Sequence, residues 1–279
     1  MFENELILLL GGSGILGSAL IEEFNSHNIT QVARGEVDRW ASLDGSTYVK
    51  RFLDGLEHKP LLIFNAAGIT NPSTPYTDLE NINYLLPANL VLATQDLGIK
   101  IVTFGTIMES IPRSWESNRY LKSKIQFRNF LDSESVSKTN VLHLQIHTWY
   151  GGLRIHDHMF LGQLFESIRK RENFQMTDGT QLREYHHIKD DLGVLRRLLE
   201  IDAHGIHQIN HGEAYELREI ADFVLRFFSL SELLRIGSLL KSPADNFSFR
   251  FPCSIKGGLT SFRPTLTGIV NDFQERLSR

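Results

Sequence analysis

A tyrosine and a lysine four residues apart offer the clearest chemistry in this chain. Tyr120 and Lys124 enclose Leu121-Lys122-Ser123 in a stretch with a helical pattern. Residues four apart lie on the same face of a helix, so both side chains can reach one reacting group. A free tyrosine has a pKa of about 10 and is a poor acid or base at neutral pH. Because a nearby ammonium stabilises the phenolate and lowers that pKa, the pair is suited to moving a proton to or from a hydroxyl or carbonyl.

Thr106 adds a hydroxyl that can hydrogen-bond the same oxygen. It follows Gly105 at the end of an apolar stretch, Ile101–Phe104, that we predict to be a strand. Tyr-x-x-x-Lys alone occurs on many helices. Its significance therefore depends on a binding site for a second reactant elsewhere in the chain.

Such a binding site is indicated near the start of the chain. Glycines at positions 11, 14 and 17 form G-x-x-G-x-x-G between the apolar run Leu6–Leu10 and a helix expected from about Gly14 to Asn28. Glycine lets the backbone approach a pyrophosphate and lets the helix pack close to the strand, while the helix N-terminus attracts the anion. We therefore predict that a dinucleotide is bound by Gly11, Ser13, Gly14, Ile15, Leu16 and Gly17.

The residue after the second predicted strand, Ile29–Ala33, bears on the choice of dinucleotide. An acidic residue there would hold the ribose 2′-hydroxyl of NAD, whereas Arg34 accommodates the 2′-phosphate of NADP. Arg34, helped by Ser13, favours NADP(H). NAD(H) stays open, because Asp38 and Asp44 follow shortly and would restore that preference if the loop folds back. A solvated loop arginine is the other alternative.

A run of small residues follows the predicted strand Leu61–Phe64. Asn65, Ala66, Ala67 and Gly68 would allow the chain to pass close to the cofactor. The alternative is a tight strand end without a binding role.

Apolar runs alternate with helical patterns through the first half of the chain. This alternation predicts an α/β fold with a doubly wound parallel sheet, the Rossmann arrangement. We assign residues 1–150 to this dinucleotide-binding domain, with later segments returning to it, and 151–279 mainly to a small substrate-binding cap. Besides the elements above, we expect a strand at Asn140–Ile146, helices near Asn81–Leu97, Tyr120–Leu131, Met159–Arg171 and Leu217–Phe228, a short strand and turn at Phe174–Gly179, and loop with short strands from Ser242 to Pro264.

Composition excludes several classes of protein. The 279 residues are 42% hydrophobic and 22% charged, which is typical of a globular protein and excludes disorder, collagen and coiled coil. A net charge of −4 gives no reason to expect binding to nucleic acid or to an acidic membrane. Cys253 has no partner for an internal disulfide, which favours a reducing compartment. The run Leu6–Leu10 is shorter than the about 20 apolar residues that cross a bilayer and lacks a basic leader, so we expect a cytoplasmic protein.

Together these motifs resemble the extended short-chain dehydrogenase/reductase superfamily, the branch of nucleotide-sugar epimerases, dehydratases and reductases. The resemblance covers nearly the whole chain and includes Trp149-Tyr150-Gly151 and the segments 178–185 and 187–191. It implies that Thr106, Tyr120 and Lys124 form a catalytic triad, with the last two also contacting the cofactor. It further implies that Arg183 binds the diphosphate of a nucleotide sugar, a role suited to a planar guanidinium. A structural salt bridge, for instance to Glu184 or Asp190, is the alternative.

Departures from the family pattern narrow the expected reaction. The sugar dehydratases follow their threonine with an Asp-Glu pair, whereas Ile107 and Met108 stand here and neither can transfer a proton. The 3,5-epimerase/reductases use a cysteine near that strand end, where this chain has none. Many members have Arg and Asn at positions 145 and 148, so we expect His147 and Thr148 to shape a different sugar pocket. The resemblance and Arg34 favour NADPH-dependent reduction of a keto group, at C4, of a nucleotide-diphospho-deoxysugar.

Two other functions stay open. One is an NAD-dependent nucleotide-sugar 4-epimerase. The other is an NADP-binding, redox-responsive interaction protein, which has no need of the proton relay that the triad would provide. The resemblance also implies a homodimer through the helices near Asn83–Leu97 and Tyr120–Leu131. We expect no metal site, because the histidines at 156, 158, 186 and 187 match no recognised ligand spacing.

Overall fold

A computed structural model describes residues 5–111, 118–133, 140–240, 245–254 and 261–279. The chain divides into two compact units. Unit 1 comprises Met1–Ile146 and Arg196–Gln208, and unit 2 comprises His147–Leu195 and Ile209–Arg279. The division expected from the sequence lies at residue 150; in the structure the chain leaves unit 1 after Ile146 and returns to it at Arg196.

Helices and strands account for most of the described chain. The helices are α1 (Ile15–Glu23), α2 (Arg34–Trp40), α3 (Gly45–Asp54), α4 (Tyr76–Glu80), α5 (Leu86–Thr94), α6 (Arg119–Leu131), α7 (Phe160–Lys170), α8 (Ile188–Glu200), α9 (Leu217–Phe227) and α10 (Thr265–Leu277). The strands are β1 (Leu6–Leu10), β2 (Asn28–Gln31), β3 (Leu62–Asn65), β4 (Lys100–Thr106), β5 (Val141–Ile146), β6 (Thr148–Tyr150), β7 (Phe174–Gln175), β8 (Leu182–Arg183), β9 (Tyr185–His187), β10 (Gly205–Gln208), β11 (Tyr215–Glu216) and β12 (Leu234–Arg235).

Unit 1 is built on one parallel sheet. Among the described residues it has six strands in the order β10-β5-β4-β3-β1-β2, and every neighbouring pair is parallel. The order reverses direction at β1, which lies between β2 and β3. Ligands of such sheets bind at the carboxyl ends of the strands beside this reversal. The Rossmann fold expected from the sequence is confirmed.

Burial explains why these segments are strands. Residues 7–10 of β1 and 62–64 of β3 are inaccessible to solvent on both faces, as expected for the middle of a parallel sheet covered by helices. The edge strand β2 is polar and largely exposed. Leu10 pairs in register with Asn65, which pairs with Thr103. The strand ends that carry the predicted site residues are therefore close to one another at the same edge.

Unit 2 contains small sheets and helices around its own apolar core. Its described strands form the two-stranded sheets β6-β9, β7-β12 and β8-β11. Helices α7, α9 and α10 contribute most of the buried side chains, among them Leu164, Ile220, Val224, Ile269 and Phe273.

Several boundaries differ from those expected. Helices α2 and α3 occupy a stretch that the sequence left unassigned, and α1 ends at Glu23. The helix expected near Asn81–Leu97 consists of a π-helical turn, Asn81–Leu85, and α5, and the helical stretch begins earlier, with α4. Pro87 in the first turn of α5 has no N–H for the helical hydrogen-bond ladder, and the widened turn lies directly before it. The described parts of the segment from Ser242 to Pro264 contain neither helix nor strand.

Membrane-spanning helices were also sought in the described residues. None of their helices combines the length and the apolar composition that crossing a bilayer requires.

Candidate active site

The glycine turn after β1 packs so closely that two of its glycines have no room for a side chain. Gly11 has φ of +77°, and a Cβ there would lie 2.6 Å from the amide nitrogen of Ala67. A Cβ on Gly17 would lie 2.1 Å from the carbonyl oxygen of Gly11. Gly14 donates a backbone hydrogen bond to Gly11, which closes the turn. The turn therefore presents bare backbone where the sequence predicts a pyrophosphate.

The first turn of α1 is open to an anion. Gly14 is its N-cap residue and provides no side-chain cap, and no acidic residue lies in that first turn. Ser13 and Gly14 are exposed, and Ile15 and Leu16 are partly exposed. Uncapped amides at a helix N-terminus form a ready site for phosphate.

Arg34 is exposed at the start of α2, beyond the end of β2. Its side chain is 93% exposed, and its Nε lies 3.9 Å from the Asp38 carboxylate on the next turn. A pair this exposed contributes little free energy. The guanidinium is therefore available to a phosphate. Asp44 lies at the N-cap position of α3 and makes no side-chain cap there.

The loop after β3 approaches the predicted catalytic lysine. Asn65 is buried, and its Oδ1 has no hydrogen-bond partner among the described residues. Ala66 and Ala67 are partly exposed and Gly68 is exposed. A Cβ on Gly68 would lie 3.8 Å from Lys124 Nζ. The small residues thus let this loop pass directly beside the lysine.

Asn83 connects that loop to α6 through hydrogen bonds that the sequence did not reveal. Its Nδ2 donates to the carbonyl of Ile69 (2.9 Å) and to Ser123 Oγ (3.0 Å), and its Oδ1 accepts from the Ile69 amide (3.0 Å). Ser123 in turn donates to the carbonyl of Tyr120 (2.7 Å). Asn83 lies on the π-helical turn, and such turns frequently occur at functional sites.

Tyr120 and Lys124 lie on consecutive turns of α6, as their spacing predicts. Asn118 caps the helix through its side chain, which accepts from the Leu121 amide at 3.2 Å. Helix α6 packs against β4 and against the short 3-10 helix that follows it. Lys124 Nζ donates to the carbonyl of Phe104, two residues before Thr106, at 2.9 Å. The three predicted catalytic residues are therefore gathered around the end of β4.

A buried glutamate accompanies them. Glu109 closes a capping box: its Oε1 accepts from the Thr106 amide at 2.8 Å, while Thr106 Oγ1 accepts from the Met108 amide. Its Oε2 lies 3.2 Å from His143 Nε2 and accepts from Gln145 Nε2 at 3.1 Å. Sequence reasoning looked for acids directly after Thr106 and passed over this one.

The charges of this cluster hold Tyr120 in its protonated form. Burial and the neighbouring Glu109 carboxylate raise the pKa of the Tyr120 phenol above its usual value. Burial raises the pKa of Glu109, but the hydrogen bond and charge of His143, the charge of Lys124 and the Thr106 amide outweigh it, so that this pKa is lowered overall. Burial lowers the pKa of Lys124. The lowering of the tyrosine pKa expected from the Tyr–Lys spacing is therefore reversed here by burial and by Glu109.

The three predicted substrate residues lie in unit 2. Arg183 forms an ion pair with Asp245 (2.7 Å) and also donates to the carbonyl of Leu182. A salt bridge was the alternative expected for this arginine, and its partner is neither of the two acids named. Thr148 begins β6 and pairs with Tyr185 of β9. His147 precedes it, and its Nε2 lies 2.8 Å from Asn210 Oδ1.

Comparison with known proteins places this geometry in a family. The model of the NAD dependent epimerase/dehydratase family matches residues 7–212, most of the chain. A search of curated protein sequences found no significant match.

Solved structures share the fold at low sequence identity. GDP-mannoheptose C4 reductase MlghC from Campylobacter jejuni, with NADP bound, has a TM-score of 0.77 and 19% identity over 100% of both chains. A GDP-D-glycero-L-gluco-heptose synthase from Campylobacter jejuni, in the presence of NADPH, has a TM-score of 0.78 and 16% identity over 100% of this chain and 99% of that one. TunA, an NAD dependent NDP-hexosamine 5,6-dehydratase, has a TM-score of 0.78 and 15% identity over 99% of both chains.

These neighbours catalyse different reactions, so their similarity shows the fold and leaves the reaction to be argued from the site. The family match covers the glycine turn, the triad and the strand ends that carry them. The chain belongs to the NAD dependent epimerase/dehydratase family and is an NAD(P)-dependent enzyme of the extended short-chain dehydrogenase/reductase type.

Proposed function

We propose that this protein uses NADPH to reduce a keto group, at C4, of a nucleotide-diphospho-deoxysugar. The observation that carries the proposal is the meeting of Thr106 at the end of β4 with Tyr120 and Lys124 on α6, where Lys124 Nζ donates to the Phe104 carbonyl at 2.9 Å. Burial and the Glu109 carboxylate raise the pKa of Tyr120, so the phenol is protonated before the reaction. A protonated phenol can donate its proton to a forming alkoxide, as reduction of a carbonyl requires.

The residues of unit 1 fit a nicotinamide dinucleotide. The cradle at Gly11 and Gly17 is one that a Cβ would fill, and the uncapped N-terminus of α1 faces the same turn. When bound, NADPH supplies the hydride. Arg34 would hold its 2′-phosphate, because this guanidinium is exposed and only loosely paired.

Each member of the triad has a separate role in the proposed step. Thr106 orients the carbonyl oxygen with its hydroxyl. The carbonyl carbon would receive the hydride that NADPH supplies, and Tyr120 would donate its proton to the carbonyl oxygen as the C=O double bond becomes single. Tyr120 would have to regain a proton before the next turnover. Lys124, whose Nζ donates to the Phe104 carbonyl, would hold the nicotinamide ribose on the same face of α6 as Tyr120.

Elimination of water needs a further acid and base, and the described residues that directly follow Thr106 offer none that is free. Ile107 and Met108 are apolar, and the Ile107 side chain is buried. Glu109 is the nearest carboxylate in sequence, but it is fully buried and already accepts from Thr106 and Gln145 and contacts His143. These contacts hold it ionised and in place, so dehydration is not the reaction that this site supports.

Substrate binding is assigned to unit 2. Arg183 would contact the diphosphate, and Thr148 and His147 the sugar. The ion pair with Asp245 fixes the guanidinium of Arg183, which is still 25% exposed and has further N–H groups for a phosphate. MlghC, which has the same fold, is a reductase of a nucleotide-linked sugar, in keeping with this substrate class. A homodimer formed through α5 and α6 and a cytoplasmic location complete the proposal.

The second candidate is an NAD-dependent 4-epimerase. It is favoured by Asp38, whose carboxylate lies 3.9 Å from Arg34 and could take the ribose hydroxyls in its place. An epimerase retains its NAD through each turnover and consumes none. A reductase releases NADP and takes up NADPH anew.

One experiment separates the two candidates. Purified protein is denatured and the released dinucleotide identified, and fresh protein is then given NADPH or NADH with a set of nucleotide-diphospho-4-keto-6-deoxyhexoses. Loss of dihydronicotinamide absorbance with NADPH, by a protein that carries little cofactor, supports the reductase. Tightly carried NAD, with interconversion of 4-epimers and no net oxidation, contradicts it.

A further inference from the structure

Unit 2 contains a buried group of two imidazoles and a carboxylate, of which the proposed reduction gives a role only to His147. Their side chains are almost inaccessible: 6% of His147, 1% of Glu184 and none of His186 is exposed. One ligand atom from each lies within 4.8 Å of the other two. The described residues contain no other such group of potential metal ligands.

Local structure brings these three residues together. Glu184 directly precedes β9 and His186 lies within it, so their spacing of two puts both side chains on one side of extended chain. β6 runs parallel beside β9, and His147 directly precedes β6. The ligand atoms thus come from two neighbouring strands of one small sheet.

The outer contacts of His186 resemble those of a metal ligand. Its Nδ1 lies 2.6 Å from Asp191 Oδ1, and Trp149 Nε1 donates to Asp191 Oδ2 at 2.5 Å. Metal-ligating histidines commonly donate their second ring N–H to a carboxylate that is itself hydrogen-bonded. This arrangement fixes the ring and directs Nε2 toward Glu184, whose Oε1 is 2.8 Å away.

Two buried carboxylates meet at one imidazole. Asp191 Oδ1 lies 2.6 Å from His186 Nδ1, and Glu184 Oε1 lies 2.8 Å from His186 Nε2. Buried carboxylates are costly unless a partner or a metal ion balances them.

One of the two carboxylate oxygens of Glu184 has no hydrogen-bond partner among the described residues. Its Oε1 accepts from the backbone amides of His211 and Gly212 as well as facing His186. Its Oε2 is buried and has no hydrogen-bond partner among the described residues. Buried carboxylate oxygens without partners are rare in native proteins and call for an explanation, of which an ion is one.

We propose that His147, Glu184 and His186 bind one divalent transition-metal ion, with zinc the best match to the ligand set. Two imidazoles and a carboxylate suit zinc and other late first-row metals and do not suit magnesium or calcium. The ion would replace the proton between His186 Nε2 and Glu184 Oε1. Its two positive charges would balance the carboxylates of Glu184 and Asp191.

The distances need only small changes to accept the ion. Zn–N and Zn–O bonds of about 2.0–2.1 Å in a tetrahedron separate neighbouring ligand atoms by about 3.3 Å. Here Glu184 Oε1 is 2.8 Å from His186 Nε2 and 3.7 Å from His147 Nε2. Asn210 Oδ1, 2.8 Å from His147 Nε2, is the nearest side-chain oxygen for a fourth position.

The ion would have a structural role. The ring of Phe251 packs against His147 and that of Phe262 against His186, so aromatic rings cover the cluster. Coordination would fix His147, directly before β6, to Glu184 and His186 at β9. It also assigns His147 to the metal and leaves Thr148 as the sugar contact of that pair.

Zinc binding by the full-length protein tests this directly. Protein dialysed against a chelator is titrated with zinc chloride in competition with a chromophoric chelator. We expect one equivalent per chain. His147→Phe, which keeps a ring against Phe251, and Glu184→Gln should each weaken binding by at least about 100-fold. Asp191→Asn should weaken it by about 10- to 100-fold, as loss of an outer partner does. His158→Ala, at an exposed histidine, is the matched control and should change nothing.

Circular dichroism checks that each variant is folded, and cobalt(II) serves as a second probe. A tetrahedral cobalt spectrum in the parent protein that is lost in His147→Phe supports the site even if Glu184→Gln is unstable. Absence of a zinc equivalent would overturn the proposal. The proposal would also be overturned if His147→Phe and Glu184→Gln both still bound one equivalent of zinc. That result would mean an adventitious ion only, bound at surface histidines. Neither readout depends on the proposed reduction.

Discussion

The Glu109 carboxylate accepts a hydrogen bond from the backbone amide of Thr106, with 2.8 Å between Oε1 and N. The contact places an ionised, fully buried acid directly behind the threonine that we assign to the substrate carbonyl. It fixes the threonine at the end of β4 and brings a negative charge to the site. Burial raises the pKa of Tyr120 and lowers that of Lys124; the Glu109 charge adds to the first shift and opposes the second. Glu109 is therefore a positioning residue that also helps to keep Tyr120 protonated.

Replacing Glu109 with glutamine should move the alkaline limit of reduction to lower pH. The reaction needs the protonated phenol, so the turnover rate falls as pH rises through the Tyr120 pKa. In the parent protein this pKa lies above 10, and the phenol should not limit the rate below that pH. Glutamine can still accept from the Thr106 amide but carries no charge, so the Tyr120 pKa loses the part of its rise that Glu109 causes and keeps the larger part that burial causes. The kcat–pH profile of each variant, extended to the alkaline limit of the folded protein, measures this, with the partly exposed Glu36→Gln as control. Superimposable profiles would refute the electrostatic role.

Glu109→Ala should destabilise unit 1 by about 3–5 kcal/mol, because each buried donor left without its acceptor costs about 1–3 kcal/mol. The Thr106 amide, Gln145 and His143 would all lose their acceptor. Because the Glu109 pKa is lowered on folding, its contribution is present above its ordinary value of 4.5 and is lost as pH falls toward the folded pKa. Urea unfolding at neutral pH and below pH 4.5 checks both points. We expect the difference in the free energy of unfolding between Glu109→Ala and the parent protein to become smaller below pH 4.5. Glu36→Ala should change that free energy very little at either pH.

Tyr120→Phe should abolish reduction while leaving NADPH affinity nearly unchanged. The ring stays but the donated proton is lost, and general acid catalysis typically contributes a factor of about 10² to 10⁴. A fall in kcat of at least about 100-fold is therefore expected in steady-state assays, with NADPH affinity followed by fluorescence titration. Tyr48→Phe, at a partly exposed tyrosine of α3, is the control. Normal turnover by Tyr120→Phe would remove the basis of the proposed mechanism.

Local sequence pattern was sufficient to predict the glycine turn and the helix that carry the candidate site residues, whose roles stay predictions. The glycine turn and its strand lie within a few residues, and Tyr120 and Lys124 lie one turn apart on α6. Each could be predicted because the chemistry and the backbone geometry share a short stretch of chain. The fold class followed from the buried runs of β1 and β3 for the same reason.

Residues that act through tertiary contacts gave no such signal. Asn83 meets Ser123 across 40 positions, and Glu109 contacts His143 across 34. His147 and Glu184 are brought together by the pairing of β6 with β9. No spacing rule predicts these meetings, because they depend on which strands and helices become neighbours. Helices α2 and α3 were not predicted. They have only 7 and 10 residues, and the few apolar residues on each are separated by glycine and polar residues.

Arg34→Ala should weaken the binding of NADPH and leave the binding of NADH unchanged. A charge-assisted hydrogen bond is worth about 1.5–3 kcal/mol, so loss of the 2′-phosphate contact should raise the dissociation constant of NADPH by about 10- to 100-fold. NADH affinity should not change, because NADH lacks that phosphate. Titration calorimetry with both cofactors measures the ratio. Arg39→Ala is the matched control on α2, since Arg39 pairs with Glu36 at 3.1 Å. An equal loss for NADPH and NADH would contradict the role of Arg34.

Two helical glycines in unit 1 provide a matched test of the cofactor cradle. A Cβ on Gly17 of α1 would meet the Gly11 carbonyl oxygen at 2.1 Å, whereas a Cβ on Gly35 of α2 would meet nothing within 4 Å. Both substitutions to alanine favour the helix by at most about 1 kcal/mol through backbone entropy. Gly35→Ala should therefore be neutral or slightly stabilising and keep full NADPH affinity. Gly17→Ala must push α1 away from the glycine turn, which displaces the amides that face the pyrophosphate. We expect it to lower the melting temperature and to weaken NADPH binding by at least about 10-fold. Equal behaviour of the two variants, in calorimetry and in cofactor titration, would mean that the close approach of α1 to the turn is unnecessary for binding.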